Sequence, residues 1–92
     1  MTRNEAQELT RGQTIYFIGL NYNIIPCIVD SVVVLDNGDV EVTFDDGCVE
    51  MFGEKPHKYI FLTHSEALKN AIEEVKEILK YLNEENKGLT NN

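Results

Sequence analysis

Four side chains in this sequence are of the types that hold zinc: Cys27, Cys48, His57 and His64. Structural zinc sites draw their ligands in close pairs such as C-x2-C or H-x3–5-H, because two ligands on one turn pre-organise half of the tetrahedron. None of the four stands in such a pair, and the two cysteines lie far apart. They are therefore read as small hydrophobes and free thiols, with His57 in a loop and His64 in a first helical turn. No metal and no cofactor is expected. Asp45 and Asp46 are adjacent carboxylates and so candidates for acid–base work. In "FDDGCV", however, they stand in a turn pattern, where Asp is favoured for bonding its own backbone. A Ser-His-Asp order, a glycine-rich phosphate loop and an acid pair on a scaffold strand are all missing, and a barrel of this size offers little concavity. The chain is expected not to be an enzyme.

Tyr22 differs in kind. It stands between Asn21 and Asn23, outside any strand pattern. Tyrosine offers a large, rigid contact area with a polar end, which enriches it at interface hot spots. Two readings stay open at this point: Tyr22 faces a partner, or it closes the mouth of the barrel. Tyr16 and Tyr59, within strand patterns, are read as structural.

Charge narrows the partner. Sixteen acidic against eight basic residues give a net charge of −8. Between Gly12 and Glu54 there are eight carboxylates (Asp30, Asp36, Asp39, Glu41, Asp45, Asp46, Glu50 and Glu54) and no lysine or arginine. Nucleic-acid binders gain affinity by neutralising phosphates with Lys and Arg, so this stretch would be repelled by DNA or RNA. A protein partner with a basic surface is expected instead, met by Tyr22, Asp36, Asp39, Glu41, Asp45 and Asp46. No apolar run reaches the roughly 20 residues that cross a bilayer, and the polar opening "MTRNEAQELTRG" lacks the apolar core of a signal peptide. The expectation is a soluble, cytoplasmic chain with no membrane partner.

Two blocks position these residues. The first reads as five short strands: "TIYFI", "IPCIVDSVVVL", "VEVTF", "CVEMF" and "YIFL". In "VEVTF" the residues Val40, Val42 and Phe44 share one face, and Glu41 and Thr43 the other. Asn37-Gly38 and Asp46-Gly47 stand between apolar runs, the pattern of type I′ hairpins. Pro56 cannot donate to a ladder, so "GEKPHKY" is a connection. The second block opens with a capping box, Thr63 followed by Glu66. It continues as a helix whose Leu68, Ala71, Ile72, Val75, Ile78, Leu79 and Leu82 form one apolar stripe, expected to be buried. Glu73 with Lys76, and Glu77 with Lys80, are helix neighbours worth a few tenths of a kcal/mol each. Gly88 is the expected stop.

Strand, wide loop, three-strand meander, irregular link and last strand is the order of an SH3-like barrel. "GQTIYFI", "GLNYNIIP", "CIVDSVVVLDNGDVEVTFDDGCVEMF" and "YIFLTHSEAL" resemble the small SH3-like proteins of low-GC Gram-positive bacteria and their phages, over roughly residues 9–82. The resemblance implies an accessory protein of a phage or mobile element that acts by contact with other macromolecules. It carries over no residue role. The expected fold is mainly β with a C-terminal helix (α+β): a polar segment at 1–12, a five-stranded SH3-like barrel at 13–63, an amphipathic helix at 64–87 and a flexible tail at 88–92. The expected function is a non-catalytic protein-binding module whose acidic barrel docks on a basic protein, such as a host nucleic-acid enzyme or defence complex that it inhibits. The alternative is a structural or assembly protein that self-associates through the helix.

A helix of this length must overhang a short barrel. Its far end, Ile78, Leu79 and Leu82, either meets the N-terminal segment around Ala6 and Leu9 or meets a second copy. Leu68, Ala71, Val75, Ile78 and Leu82 fit an a/d seam, with Val75, Ile78 and Leu82 as the self-association residues of a homodimer.

Overall fold

The computed structural model describes residues 1–90, with side chains placed for residues 1–86. The elements in chain order are α1 (Arg3–Gln7), β1 (Thr14–Ile18), β2 (Ile24–Val34), β3 (Val40–Phe44), β4 (Val49–Phe52), β5 (Ile60–Phe61) and α2 (His64–Thr90). The fold is mainly β with a C-terminal helix, as the patterning requires. The five strands form one antiparallel sheet in the order β4-β3-β2-β1-β5. The end strands β4 and β5 are not bonded to each other, so the sheet is a curled half-barrel.

The curl follows from β2. Its first half pairs with β1 and its second half with β3, and the register shifts between Val29 and Ser31. An extra residue at such a bulge bends the strand and increases its twist, which turns the two halves of the sheet towards each other. The side chains enclosed are those of strict alternation: Val40, Val42 and Phe44 from β3, with Ile15, Val29, Phe52 and Ile60, all buried. Phe17 meets Phe44 edge-on at 5.4 Å between ring centroids.

The N-terminal residues are not merely a polar segment. Thr2 and Glu5 make a capping box that starts α1, and Ala6 and Leu9 lie in the sheet core. The signal was present as T-x-x-E at residues 2–5, the same pattern that marks the start of α2. The backbone of Met1 joins this layer to the 53–59 link: its nitrogen donates to the carbonyls of His57 (2.7 Å) and Ile60 (3.0 Å), and His57 N–H donates to the Met1 carbonyl (2.8 Å).

α2 lies on the outer side of β1, against β1, β2 and β5, with His64 edge-on to Tyr16 at 5.5 Å. The Glu66 N–H donates to Thr63 Oγ1 at 3.1 Å, as the cap requires. The helix runs through Gly88 to Thr90, so Gly88 is not its stop; glycine costs about 1 kcal/mol inside a helix but does not forbid it. Of the tail expected at 88–92, residues 91 and 92 lie outside the described residues.

Two expectations for α2 are corrected. The apolar stripe is not buried as a whole: Ala71 is buried, Val75 is half-buried, and Leu68, Ile72, Ile78, Leu79 and Leu82 are exposed, while Ala67, outside the expected stripe, is buried beside Ala71. Nor does the N-terminal segment cover the overhang, because α1 packs against β2 and β3 and its Ala6 and Leu9 are spent in the sheet core. The radius of gyration is 17.1 Å, against about 12 Å for a globular chain of this length, and the long axis is 58 Å. The excess is the projecting helix. Glu73–Lys76 and Glu77–Lys80 are not closed ion pairs; those among the described residues are Arg3–Asp39, Arg11–Asp30 and His57–Glu50.

Candidate functional site

The three hairpins of the sheet are built alike. In each, two residues bracket a three-residue loop and share one backbone bond, Gly19 N–H donating to the Asn23 carbonyl, Leu35 N–H to that of Asp39 and Phe44 N–H to that of Cys48, each at 2.8 Å. In each, the third loop residue, Tyr22, Gly38 or Gly47, donates back to the first bracket carbonyl at 2.9–3.0 Å. That third residue has positive φ: 60° at Tyr22, 89° at Gly38 and 88° at Gly47. Asn37 and Asp46 do not. The turns are therefore three-residue loops with a left-handed third residue, not the expected two-residue type I′ turns, which need positive φ at both central positions.

Aligned by this geometry, "GLNYN", "LDNGD" and "FDDGC" place Tyr22 where the other two hairpins have glycine. The loop at 19–23 is accordingly tight rather than wide, and Tyr22 is the one non-glycine residue with positive φ among the described residues. A side chain in this region costs on the order of 1 kcal/mol. Something must hold it there. The ring is half-buried and lines two grooves: one of about 370 Å³ with Ile18, Gly19, Leu20, Tyr59 and Glu74, and one of about 220 Å³ with Leu68, Ala71, Ile72, Val75 and Lys76. Tyr22 thus stands in the groove between the β1–β2 hairpin and α2, and Leu20, at the tip, is fully exposed. Replacing Tyr22 by glycine is expected to lower stability by about 1 kcal/mol. The backbone would relax, but burial of a large apolar ring is worth roughly 1.5–3 kcal/mol when complete. A rise in melting temperature in that variant would show that the ring carries no packing energy.

The acidic residues divide into separate groups. Antiparallel connectivity puts the Asp36/Asp39 turn and the Asp45/Asp46 turn at opposite ends of β3, about 17 Å apart for a five-residue strand. Asp45 N–H donates to the Ile28 carbonyl, whereas Tyr22 lies beyond Ile24 at the start of β2, about 13 Å further along the strand. Tyr22 and the acids therefore do not form one constellation. Asp39 is engaged, with Arg3 Nη1 at 3.2 Å and Asn37 Nδ2 at 3.2 Å. Asp46 accepts the Cys48 N–H at 2.9 Å, the local turn bond expected of it. Asp36 and Asp45 are exposed.

Between the two turns lies the outer face of β2–β3–β4. The register aligns Val33, Glu41 and Met51 in one cross-strand row, and Ser31, Thr43 and Val49 in the next. Val33, Val49 and Met51 are about half exposed. This face has an apolar middle around Glu41 and aspartates at each end. Sequence reasoning missed its apolar part, although Val33 stands next to core-facing Val32 and Met51 next to core Phe52.

Cys27 and Cys48 are free thiols. Burial, followed by the nearby Asp46 carboxylate, pushes the Cys27 thiol up from its ordinary range; a side-chain hydrogen bond to Asp46 does the same for exposed Cys48. Both are held in the thiol form at neutral pH, unlike the thiolates that bind metal or attack substrates. His57 sets Nε2 3.4 Å from Glu50 Oε2 and stacks obliquely on Phe52, while His64 sits on Tyr16, so the structure separates the two histidines. Among the described residues no group of three metal-ligating side chains comes together, and no helix is long and apolar enough to cross a membrane. Comparison with protein-family models, curated proteins and solved structures returned no match.

Proposed function

We propose that this chain is a non-catalytic protein-binding module that docks its outer sheet face on a basic protein surface. The observation that carries the reading is the composition of that face. Val33, Val49 and Met51 surround Glu41, with Asp36 at one end and Asp45 and Asp46 at the other. An apolar centre inside a charged rim is the anatomy of a protein interface. Carboxylates at the rim speed encounter with a basic partner and repel nucleic acid. Asp39 contributes less, because Arg3 already neutralises it. Tyr22 lies outside this face and supports the fold. The SH3-like resemblance points to a cytoplasmic accessory protein of a phage or mobile element whose target is a host protein that itself holds phosphates.

The test is capture from a Gram-positive lysate by the immobilised wild type and by a Glu41→Lys/Asp45→Lys/Asp46→Lys variant. The expected result is a basic protein whose recovery falls at least tenfold in the variant, and falls for the wild type as salt is raised from about 50 mM to about 300 mM. Equal recovery by both chains, or a specific shift of duplex DNA at low salt, overturns the reading.

A further inference from the structure

We propose that α2 pairs in parallel with α2 of a second copy of this chain, through a seam made of Leu68, Ile72, Val75, Leu79 and Leu82. This goes beyond the acidic face and does not depend on it. Two heptad registers can be drawn through the apolar stripe. The seam Leu68, Ala71, Val75, Ile78, Leu82 is closed, since Ala71 is buried against the sheet. The seam Leu68, Ile72, Val75, Leu79, Leu82 is open: these residues are 43%, 46%, half-buried, 53% and 53% exposed, respectively.

The open seam has spacings of four, three, four and three, the 3.5-residue period that lets a helix face a second helix of the same period along its whole length. At 100° per residue it centres about 80° round the helix from Ala67 and Ala71, so the sheet leaves it open, and Tyr22 of the half-barrel flanks it at Leu68, Ile72 and Val75. A two-fold axis along the seam would set the two half-barrels on opposite flanks. Five seam residues, with the stems of Lys69 and Lys76, offer on the order of 500 Å² per chain, which reaches the roughly 1,000 Å² in total that a specific interface must clear.

Direction follows from residue 86. The next seam position is Asn86. In a parallel pair it meets its own copy, amide to amide, the polar layer that sets register in two-stranded coiled coils. In an antiparallel pair with a-against-d layers, Asn86 would face Leu68, and the like-with-like polar layer that sets register is lost.

Sedimentation equilibrium at about 100 μM is expected to give twice the chain mass of 10.5 kDa. Leu79→Glu should give a monomer of unchanged helix content and melting profile in its sheet, because Leu79 is 53% exposed and lies outside the core cluster. Ile78→Ser should remain dimeric. A monomeric wild type, a dimeric Leu79→Glu, or a monomeric Ile78→Ser overturns the proposed seam. With Cys27→Ser and Cys48→Ser in place, spin labels on Ser65→Cys should lie within about 20 Å of each other in a parallel pair; the antiparallel pair separates them by about 36 Å along the axis, and that distance overturns the direction.

Discussion

Replacing Phe52 by alanine is expected to lower the unfolding free energy by about 3–5 kcal/mol, the range for deleting a buried aromatic ring. Phe52 is the largest fully buried side chain, at 1% exposure. It comes from the edge strand β4, opposite Val40, and its ring also supports His57 at 5.7 Å. The residue therefore fills the core and seats the 53–59 link, through which the Met1 backbone is bonded. Because domains of this size have about 5–15 kcal/mol to lose, the variant should be partly unfolded at 37 °C. Urea unfolding followed by far-ultraviolet circular dichroism measures it. A loss below about 1.5 kcal/mol would mean that the core reorganises around the missing ring.

The second large effect is expected at Ala67→Glu, and it should be local. Ala67 has 0% exposure and, with Ala71, forms the seat of α2 on the outer side of β1. Neither belongs to the core cluster inside the sheet. Glutamate is a good helix former, so the substitution does not oppose the helix itself; it forces a carboxylate where there is neither space nor water. An unpaired buried charge costs several kcal/mol, more than the seat of two alanines can return. The helix should undock while the sheet and α1 persist. Hydrogen exchange is the direct readout: amides at 64–75 should lose protection, while those of β3, between β2 and β4, keep it. Loss of protection throughout β3 would show that α2 and the sheet form one cooperative unit. A helix released in this way is marginal in water by itself, so ellipticity should fall as well.

These two expectations rest on different parts of what the residues say. The strands were legible because period two is a local property: Val40, Val42 and Phe44 are inward in the sequence pattern and buried in the fold. The start of α2 was legible because a cap is made of neighbours. The bend in β2 was not, since a bulge appears only when a second strand sets the register that Asp30 interrupts. The hairpin type is likewise set by pairing rather than by the turn residues. Asn-Gly and Asp-Gly fit both two- and three-residue loops, and the bracket pairs Leu35–Asp39 and Phe44–Cys48 decide between them.

The candidate site divides along the same line. The segment-wide excess of carboxylates is a property of composition, and the sequence by itself determined it, along with the five strands and the amphipathic helix. Which carboxylates remain available is a tertiary matter: Arg3, Arg11 and His57 come from outside or beyond the acidic strands to meet Asp39, Asp30 and Glu50. Tyr22 read as a loop residue free to face a partner, and only the geometry of three equivalent hairpins shows it in a glycine's position with its ring along α2. The helix stripe is the clearest case. Its apolar residues span two overlapping heptad registers, and periodicity alone cannot rank them. Docking through the small side chains of Ala67 and Ala71, which let the helix approach the sheet closely, uses up one register and turns the other to solvent.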